Sequence, residues 1–414
     1  MHGGSICGQI LHSGPARDRF ARVPGDDQKV MMSSAAVSVV LAGGGTAGHV
    51  NPLLAVADEV RRRQPGARVL ALGTTTGLEA DLVPARGYEL RPIPRVPLPR
   101  RPSPDLLRLP GRLTAAVRAA EDAIDEIDAQ AVIGFGGYVA TPAYLAAKRK
   151  GVPIVIHEQN ARPGLANRLG ARWASRVGLT FAGTPLRGGV VTGLPLRQAI
   201  AALVQEREAD AAGLRARAAA ELGLDPALPT LVVTGGSLGA LSLNRAVSGA
   251  ATQILAAGAQ VLHLTGKGKG DEVRETVAGV DPQRYQVREY LEQMELAYAV
   301  ADLVVCRSGA GSVAELAALG IPAVYVPLPI GNGEQRLNAA PLVEAGGGLL
   351  VDDADVTPAW VAQNVPTLLA DRERLGVMAK AAGSAGTSDG AARVVDLVEQ
   401  AVRSAGTDTT EVRS

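Results

Sequence analysis

The residues in this chain best suited to chemistry fall in short runs rich in glycine or in polar side chains. Cys306-Arg307-Ser308-Gly309-Ala310-Gly311-Ser312-Val313-Ala314-Glu315 follows a continuous apolar stretch, residues 302–306, that suits a strand covered on both faces. From Gly309 to Ser312 no side chain is large enough to keep a phosphate off the backbone, and the free N–H groups of a following helix would point at it. Glu315 is expected in the first turn of that helix. There a carboxylate either accepts hydrogen bonds from both hydroxyls of a ribose or merely complements the helix dipole. A second glycine turn, Gly43 to Gly48, ends at His49, whose imidazole titrates close enough to neutrality to serve as a general base or to pair with phosphate. A plain helix cap or loop hydrogen bond is the alternative for the same histidine.

Three more runs complete the set. Gly134-Phe135-Gly136-Gly137-Tyr138 is a further glycine turn at a strand end, so more than one phosphate group is expected in the same cleft. His157-Glu158-Gln159-Asn160 crowds four polar side chains at the end of the apolar run 152–156, although Glu158 could simply cap neighbouring backbone. In residues 331–338, Gln335 and Asn338 carry amides able to pair with sugar hydroxyls, unless the run is an ordinary helix start. The spacing Gly43-x-Gly45-x-x-Gly48 also fits the dinucleotide fingerprint, which needs an acid at the end of the second strand. That position reads Leu72-Gly73-Thr74-Thr75-Thr76, with no carboxylate before Glu79, so the loop is read as a site for a different phosphate.

The elements that must position these runs alternate in type. Strands are expected at residues 37–42, 68–72, 131–135 and 152–157, with helices at 113–127 and 140–150 between them. Asn51 and Pro52 are expected to be the N-cap and first residue of a helix running to Arg63. A second series begins at 230–234, meets the glycine turn Gly235-Gly236-Ser237-Leu238-Gly239-Ala240, and continues with strands at 261–264, 286–290, 303–306 and 323–326. The fold class is therefore α/β, with two Rossmann-like doubly wound parallel sheets facing across a cleft, where ligands sit at the carboxyl ends of strands. The expected divisions are a disordered extension over 1–35, a first domain over 36–196, a connecting segment over 197–228 and a second domain over 229–388. A helix over 389–403 and a frayed tail over 404–414 complete the chain.

Composition narrows the functions. A net charge of +1 and an aromatic content of 3% argue against nucleic acid as a partner. The two cysteines, Cys7 and Cys306, lie far apart and build neither a disulfide framework nor a metal site, which fits a reducing compartment. The opening segment does not read as a signal peptide, and no stretch reaches the roughly 20 apolar residues that span a bilayer. Residues 91–113 interleave Arg91, Arg95, Arg100, Arg101, Arg108 and Arg112 with apolar side chains. Such a segment either holds a protein on an anionic bilayer, at about 1 kcal/mol per basic residue, or is a solvated loop.

Taken together, residues 44–50, 136–138, 157–160, 235–237 and 306–315 resemble the MurG family, glycosyltransferases of family 28 with the GT-B architecture. The resemblance implies inverting transfer of N-acetylglucosamine from UDP-N-acetylglucosamine to the C4 hydroxyl of undecaprenyl-diphospho-N-acetylmuramyl-pentapeptide, in peptidoglycan synthesis. It implies donor contacts from Thr46, Ala47, Gly48, Asn160, Arg197, Ser237, Leu291, Ala310, Gly311, Ser312, Val313, Ala314, Glu315 and Gln335. The acceptor diphosphate would lie at Gly45, Gly136, Gly137 and Tyr138. His49 would be the base, with Glu158 as its rival. The arginine-rich segment would face an anionic membrane, giving peripheral attachment to the cytoplasmic face of the cell membrane, and other cell-wall synthesis and division proteins would be partners. No metal site is expected and no cofactor is expected to be tightly bound; whether a divalent cation stimulates turnover is open. Ala47, Leu238 and Gly311-Ser312 depart from the family pattern, which leaves the backbone roles intact and removes the amide contact at 238. A related lipid glycosyltransferase, a UDP-sugar epimerase of the same fold and a noncatalytic nucleotide-sugar binding subunit are the alternative readings.

Overall fold

The structure, a computed structural model, describes residue 1 and residues 36–96, 105–236 and 238–411. The expectations for residues 2–35, for the arginine-rich stretch at 97–104 and for Ser237 lie outside the described residues.

Two wholly parallel sheets carry the chain. The first contains β1 (Ser38–Gly43), β2 (Arg68–Gly73), β3 (Glu89–Pro92), β4 (Ala131–Gly136), β5 (Ile154–Glu158), β6 (Arg176–Leu179) and β7 (Gly189–Val191), in the order β3-β2-β1-β4-β5-β6-β7. The second contains β8 (Thr230–Thr234), β9 (Gln260–Leu264), β10 (Tyr285–Arg288), β11 (Leu303–Cys306), β12 (Ala323–Tyr325) and β13 (Gly348–Leu350), in the order β10-β9-β8-β11-β12-β13. Each order turns back on itself once, between β1 and β4 and between β8 and β11. Those are the switch points at which doubly wound sheets bind ligands. β1, β4, β8 and β11 are buried throughout, as strands covered by helices on both faces must be.

The short strands β3, β6, β7 and β13 were not apparent in the sequence. β7 is exposed along its length at the sheet edge and contains a glycine, so it lacks the apolar signature that marked the central strands. The helix expected at 113–127 runs instead over Asp105–Glu126, and the frayed tail expected from Ser404 is helical as far as Glu411. The segment 197–228 is mostly helix, Gln198–Leu222, broken at Asp210 (φ −154°, ψ 76°), whose Oδ1 accepts a bond from Gly213 N at 2.9 Å and so caps the second half. Ile200, Leu203, Leu214 and Leu222 on it join the core of the second domain.

The last helix, Gly390–Glu411, returns to the first domain. Val394, Val395, Val398 and Ala401 pack with Val39, Leu41, Leu53 and Val56 in one core. Arg63 fixes its start, with Nη1 2.6 Å from Asp396 and Nη2 donating to Ala392 O at 2.9 Å. The chain therefore passes between domains twice, and the two passages touch. A Cβ on Gly390 would strike the carbonyl oxygen of Leu194, and one on Gly193 would strike Thr387 Oγ1.

Leu53, 1% exposed, lies at the centre of this shared core. Leu53→Ala is expected to cost about 2–5 kcal/mol, read as a lower urea midpoint for the first domain, whereas a surface change such as Arg62→Ala should cost under about 0.5 kcal/mol.

Candidate functional site

The carboxyl edges of both sheets open on one cleft of ≈ 1220 Å³. Its first wall is the glycine turn after β1. The helix there begins at Ala47 with Thr46 as N-cap, five residues before the expected start; Asn51 and Pro52 lie inside it. His49 and Val50 both donate their backbone N–H to Thr46 O at 3.1 Å, so the small residues 47 and 48 already wind as helix. His49 is consequently in the first turn, half-buried, with its ring in the cleft.

The tautomer of His49 follows from its partners. Nδ1 lies 3.1 Å from Gly44 O and 3.1 Å from Thr46 Oγ1. A carbonyl oxygen only accepts, so Nδ1 carries the proton and Nε2 keeps its lone pair. Nε2 is turned to Gly136, where a Cβ would lie 3.3 Å away. Burial lowers the His49 pKa below the ordinary 6.5, while the Gly44 bond and the charges of Glu334 and Glu79 partly oppose it. The ring is neutral at pH 7 and able to take a proton.

The turn after β4 completes this wall. Gly136 (φ 90°) and Gly137 (φ 81°) occupy the left-handed region, and a Cβ on Gly137 would lie 2.5 Å from Gly44 O. Only glycine lets this turn close on the first one. Tyr138 stands at its tip, 42% exposed, under the Arg95 guanidinium at 4.9 Å.

Glu158 lines the cleft from β5, and its two oxygens are already engaged. Oε1 accepts from Asn160 N at 2.9 Å, and Oε2 accepts from Gly164 N at 3.0 Å and Asn167 Nδ2 at 2.9 Å. Burial raises its pKa despite these bonds. This geometry is that of a clasp holding the 160–167 loop, and Asn167, itself bonded by Tyr144 OH at 2.7 Å, is a member of it that the sequence did not suggest. His157 next door donates Nε2–H to Gly193 O at 3.0 Å and is pushed down to about 4 by burial.

The second wall is the glycine turn after β11. Its helix is Ala310–Leu319, with Gly309 as N-cap, so Glu315 sits in the second turn and not the first. The Glu315 carboxylate accepts from Arg197 Nε at 2.9 Å and from Tyr298 OH at 3.1 Å. Thus Arg197, from the connecting segment, and Glu315 are brought together, and Tyr298 joins them unannounced. Ala310, Gly311, Ser312, Leu291 and Gln335 also line the cleft; Val313 lies beneath it in the core and Ala314 packs against that core. At Gly309 and Gly311 a Cβ would meet nothing within 4 Å, so the backbone there faces open space. Leu238, 82% exposed, lies on the neighbouring loop.

The helix Glu334–Glu344 starts just before Gln335, whose Oε1 accepts from Leu328 N at 3.0 Å and whose amide N–H groups remain to donate. Asn338 is not available to a sugar. It is fully buried, accepts from Ala161 N at 2.8 Å, and donates to Asn160 Oδ1 and Ser308 O at 3.3 Å each. Together with Arg162, which donates to Asn332 O, it ties the first domain to the second beside Asn160. Its register one turn after Gln335 is the only sequence signal, and that signal does not separate a ligand contact from a domain tie.

Beneath the second wall, His263 donates Nε2–H to Asn244 Oδ1 at 3.1 Å and accepts from Tyr285 OH at 2.8 Å; burial pushes it down to about 3. His157 and His263 are thus neutral when folded, whereas the unfolded chain protonates both near 6.5. The unfolded state binds more protons below that pH, so stability falls as pH drops through the window from about 6.5 to about 4, by up to about 1.4 kcal/mol per pH unit from each ring. Urea unfolding at pH 7.5 and pH 5 should show this loss, and His263→Gln should remove one ring's share of the slope.

The chain matches two family models, the glycosyltransferase family 28 N-terminal domain over residues 39–179 and the glycosyltransferase family 28 C-terminal domain over residues 230–394. It is 57% identical over 367 residues to a Clavibacter sepedonicus protein, with 88% of this chain and 96% of that one covered. It is 53% identical over 371 residues to a Paenarthrobacter aurescens protein, covering 89% and 98%. Both relatives are named UDP-N-acetylglucosamine--N-acetylmuramyl-(pentapeptide) pyrophosphoryl-undecaprenol N-acetylglucosamine transferase. Among solved structures, Acinetobacter baumannii MurG superposes with a TM-score of 0.71 at 30% identity, covering 88% of this chain and 99% of that one.

Proposed function

The chain belongs to glycosyltransferase family 28, and from that membership and the cleft we propose that it transfers N-acetylglucosamine from UDP-N-acetylglucosamine to a lipid-linked N-acetylmuramyl-pentapeptide. The observation that carries the mechanism is the neutral His49 imidazole, its Nε2 lone pair in the same cleft as the motif around Ala310 and Glu315. In the proposed step the acceptor's C4 hydroxyl oxygen attacks the anomeric carbon as the bond from that carbon to the UDP oxygen breaks. The hydroxyl proton goes to His49 Nε2, the bonding electrons leave with UDP, and the anomeric centre inverts to a β(1→4) linkage. Such proton removal contributes roughly 100- to 10,000-fold.

The donor would lie against the second domain. Its diphosphate would face the start of the helix Ala310–Leu319, where free backbone N–H groups and the helix dipole favour negative charge. Glu315 would exchange its bonds from Arg197 and Tyr298 for ribose hydroxyls, Leu291 would lie by the uracil, and the free amide of Gln335 would meet the sugar. No tightly held metal enters this account, and stimulation by a divalent cation is a separate assay. The acceptor diphosphate would rest at Gly45 and Gly136 to Tyr138. Its lipid would leave past Val96, Leu109, Leu113 and the 68% exposed Leu165, which favours attachment to the cytoplasmic membrane surface, where other cell-wall proteins would be met. Among the described residues no helix is long and apolar enough to cross a membrane.

UDP release measured with and without a short-chain muramyl lipid tests the reading. Release should require the acceptor, and acceptor-independent conversion of the donor would instead indicate an epimerase. His49→Ala should lower kcat about 100- to 10,000-fold with UDP affinity retained, and near-normal turnover would remove His49 as base. Glu315→Ala should weaken UDP-sugar binding about 10- to 100-fold through the lost charged hydrogen bonds; unchanged titration calorimetry would overturn that assignment.

A further inference from the structure

One buried acid takes no part in the steps above. Glu79 begins the helix Glu79–Ala85 after β2 and is 0% exposed. Its Oε2 accepts from Gly45 N at 2.9 Å, and its Oε1 accepts from Thr74 N at 2.9 Å and Thr74 Oγ1 at 2.7 Å. Glycines surround it closely. A Cβ on Gly44 would lie 2.6 Å from Oε1, one on Gly73 would lie 2.5 Å from Cγ, and one on Gly77 would strike the carboxylate itself. The glycines of this region thus make room for a carboxylate belonging to the chain itself.

The position of the acid matters because of what the braced loop holds. Glu79 fixes the amide of Gly45, the preceding carbonyl of Gly44 accepts Nδ1–H of His49, and that bond leaves Nε2 as the basic nitrogen. We propose that Glu79 is a positioning residue for the transfer reaction, setting the tautomer and aim of His49 through the Gly44–Gly45 backbone. This rests on the reading of His49 as base. It does the work that a carboxylate does when it orients a histidine directly, with a peptide unit inserted between the two. A neutral amide cannot replace it. The side chain meets donors from Gly45 and Thr74 on both of its oxygens, and either orientation of a glutamine would set its NH2 against at least one of them.

The charge acts in the same direction as the geometry. Burial would raise the Glu79 pKa, but the bonds from Gly45 and Thr74, with its own N–H, hold it below the ordinary value, so the acid is ionised at neutral pH. The carboxylates acting on His49 are Glu334, from the opposite domain, and Glu79, and both favour the imidazolium. Removing Glu79 takes away one of these charges and loosens the Gly44 bond, and each change lowers the His49 pKa.

The test is Glu79→Gln beside Thr74→Val, His49→Ala and the Glu79→Gln/His49→Ala double variant, all as full chains shown by circular dichroism and UDP binding to be folded. Glu79→Gln should lower kcat about 10- to 100-fold, within the span that the base supplies, and move the acid limb of the pH profile to lower pH. UDP affinity should hold. The 15N shifts of the imidazole should show loss of the single Nδ1–H tautomer, a readout independent of turnover in a chain with five histidines. Thr74→Val keeps the carboxylate and should cost only a few-fold. In the His49→Ala background Glu79→Gln should cost nothing more, since its effect passes through the ring. A folded Glu79→Gln protein with wild-type pH profile and imidazole shifts, or a further fall in the double variant, would overturn the role of Glu79. Near-normal turnover of His49→Ala would instead sink the reading of the base, and the imidazole shifts would still report whether Glu79 sets the tautomer.

Discussion

The parallel pairing of β1 with β4, and of β8 with β11, is the constraint from which the site follows. Parallel neighbours need long crossovers, and at these two pairs the crossovers leave in opposite directions. A crevice opens above each pair because no connection runs over it. His49, the turn at Gly136 and Gly137, and the helix start at Ala310 stand directly beyond strand ends at these crevices, while Arg197, Leu291 and Gln335 reach the cleft from neighbouring elements. The buried flanks of the same strands, Val39 to Ala42 and Val304 to Cys306, leave no other place for polar chemistry near the sheet centres.

The two crevices are held at different cost. The second relies on helix starts and small residues, and its buried ionisable groups, His263, Tyr298 and Glu315, are paired mainly with other side chains. The first contains the buried ionisable side chains Glu79, His157 and Glu158, each committed to backbone, amide or hydroxyl partners. Unpaired, any of them would be strongly destabilising. Paired, they fix three adjoining loops so that a single imidazole nitrogen is left without a partner. Rigidity in one half and an accessible backbone surface in the other suit a reaction in which one side must aim a proton acceptor and the other must admit and release a nucleotide.

Much of this was legible in the sequence because glycine turns after apolar runs report strand ends directly. The central strands, both glycine-turn domains and the strand-end placement of His49 and of the run ending at Glu315 could be anticipated that way, whereas Arg197 entered only through the family resemblance. Helix starts were read unevenly: the one at Ala140 could be anticipated, those at Ala47 and Asp105 could not. Asn51-Pro52 has the chemistry of an N-terminus, yet the chain begins to wind at Ala47, because the small residues 47 and 48 permit it; Pro52, inside the helix, has no N–H to give to the preceding turn. Edge strands such as β7, with no buried face, carry no apolar pattern to read. The parts of Glu79 and Asn338 were hidden for another reason: their partners lie 34 and 177 residues away, and spacing along the chain says nothing about such pairs.

The two passages between the domains, near Gly193 and Gly390, lie side by side and touch. A side chain at either glycine would force the two passages apart, so the joint between the domains tolerates substitution at 193 and 390 as poorly as the cleft tolerates it at 137.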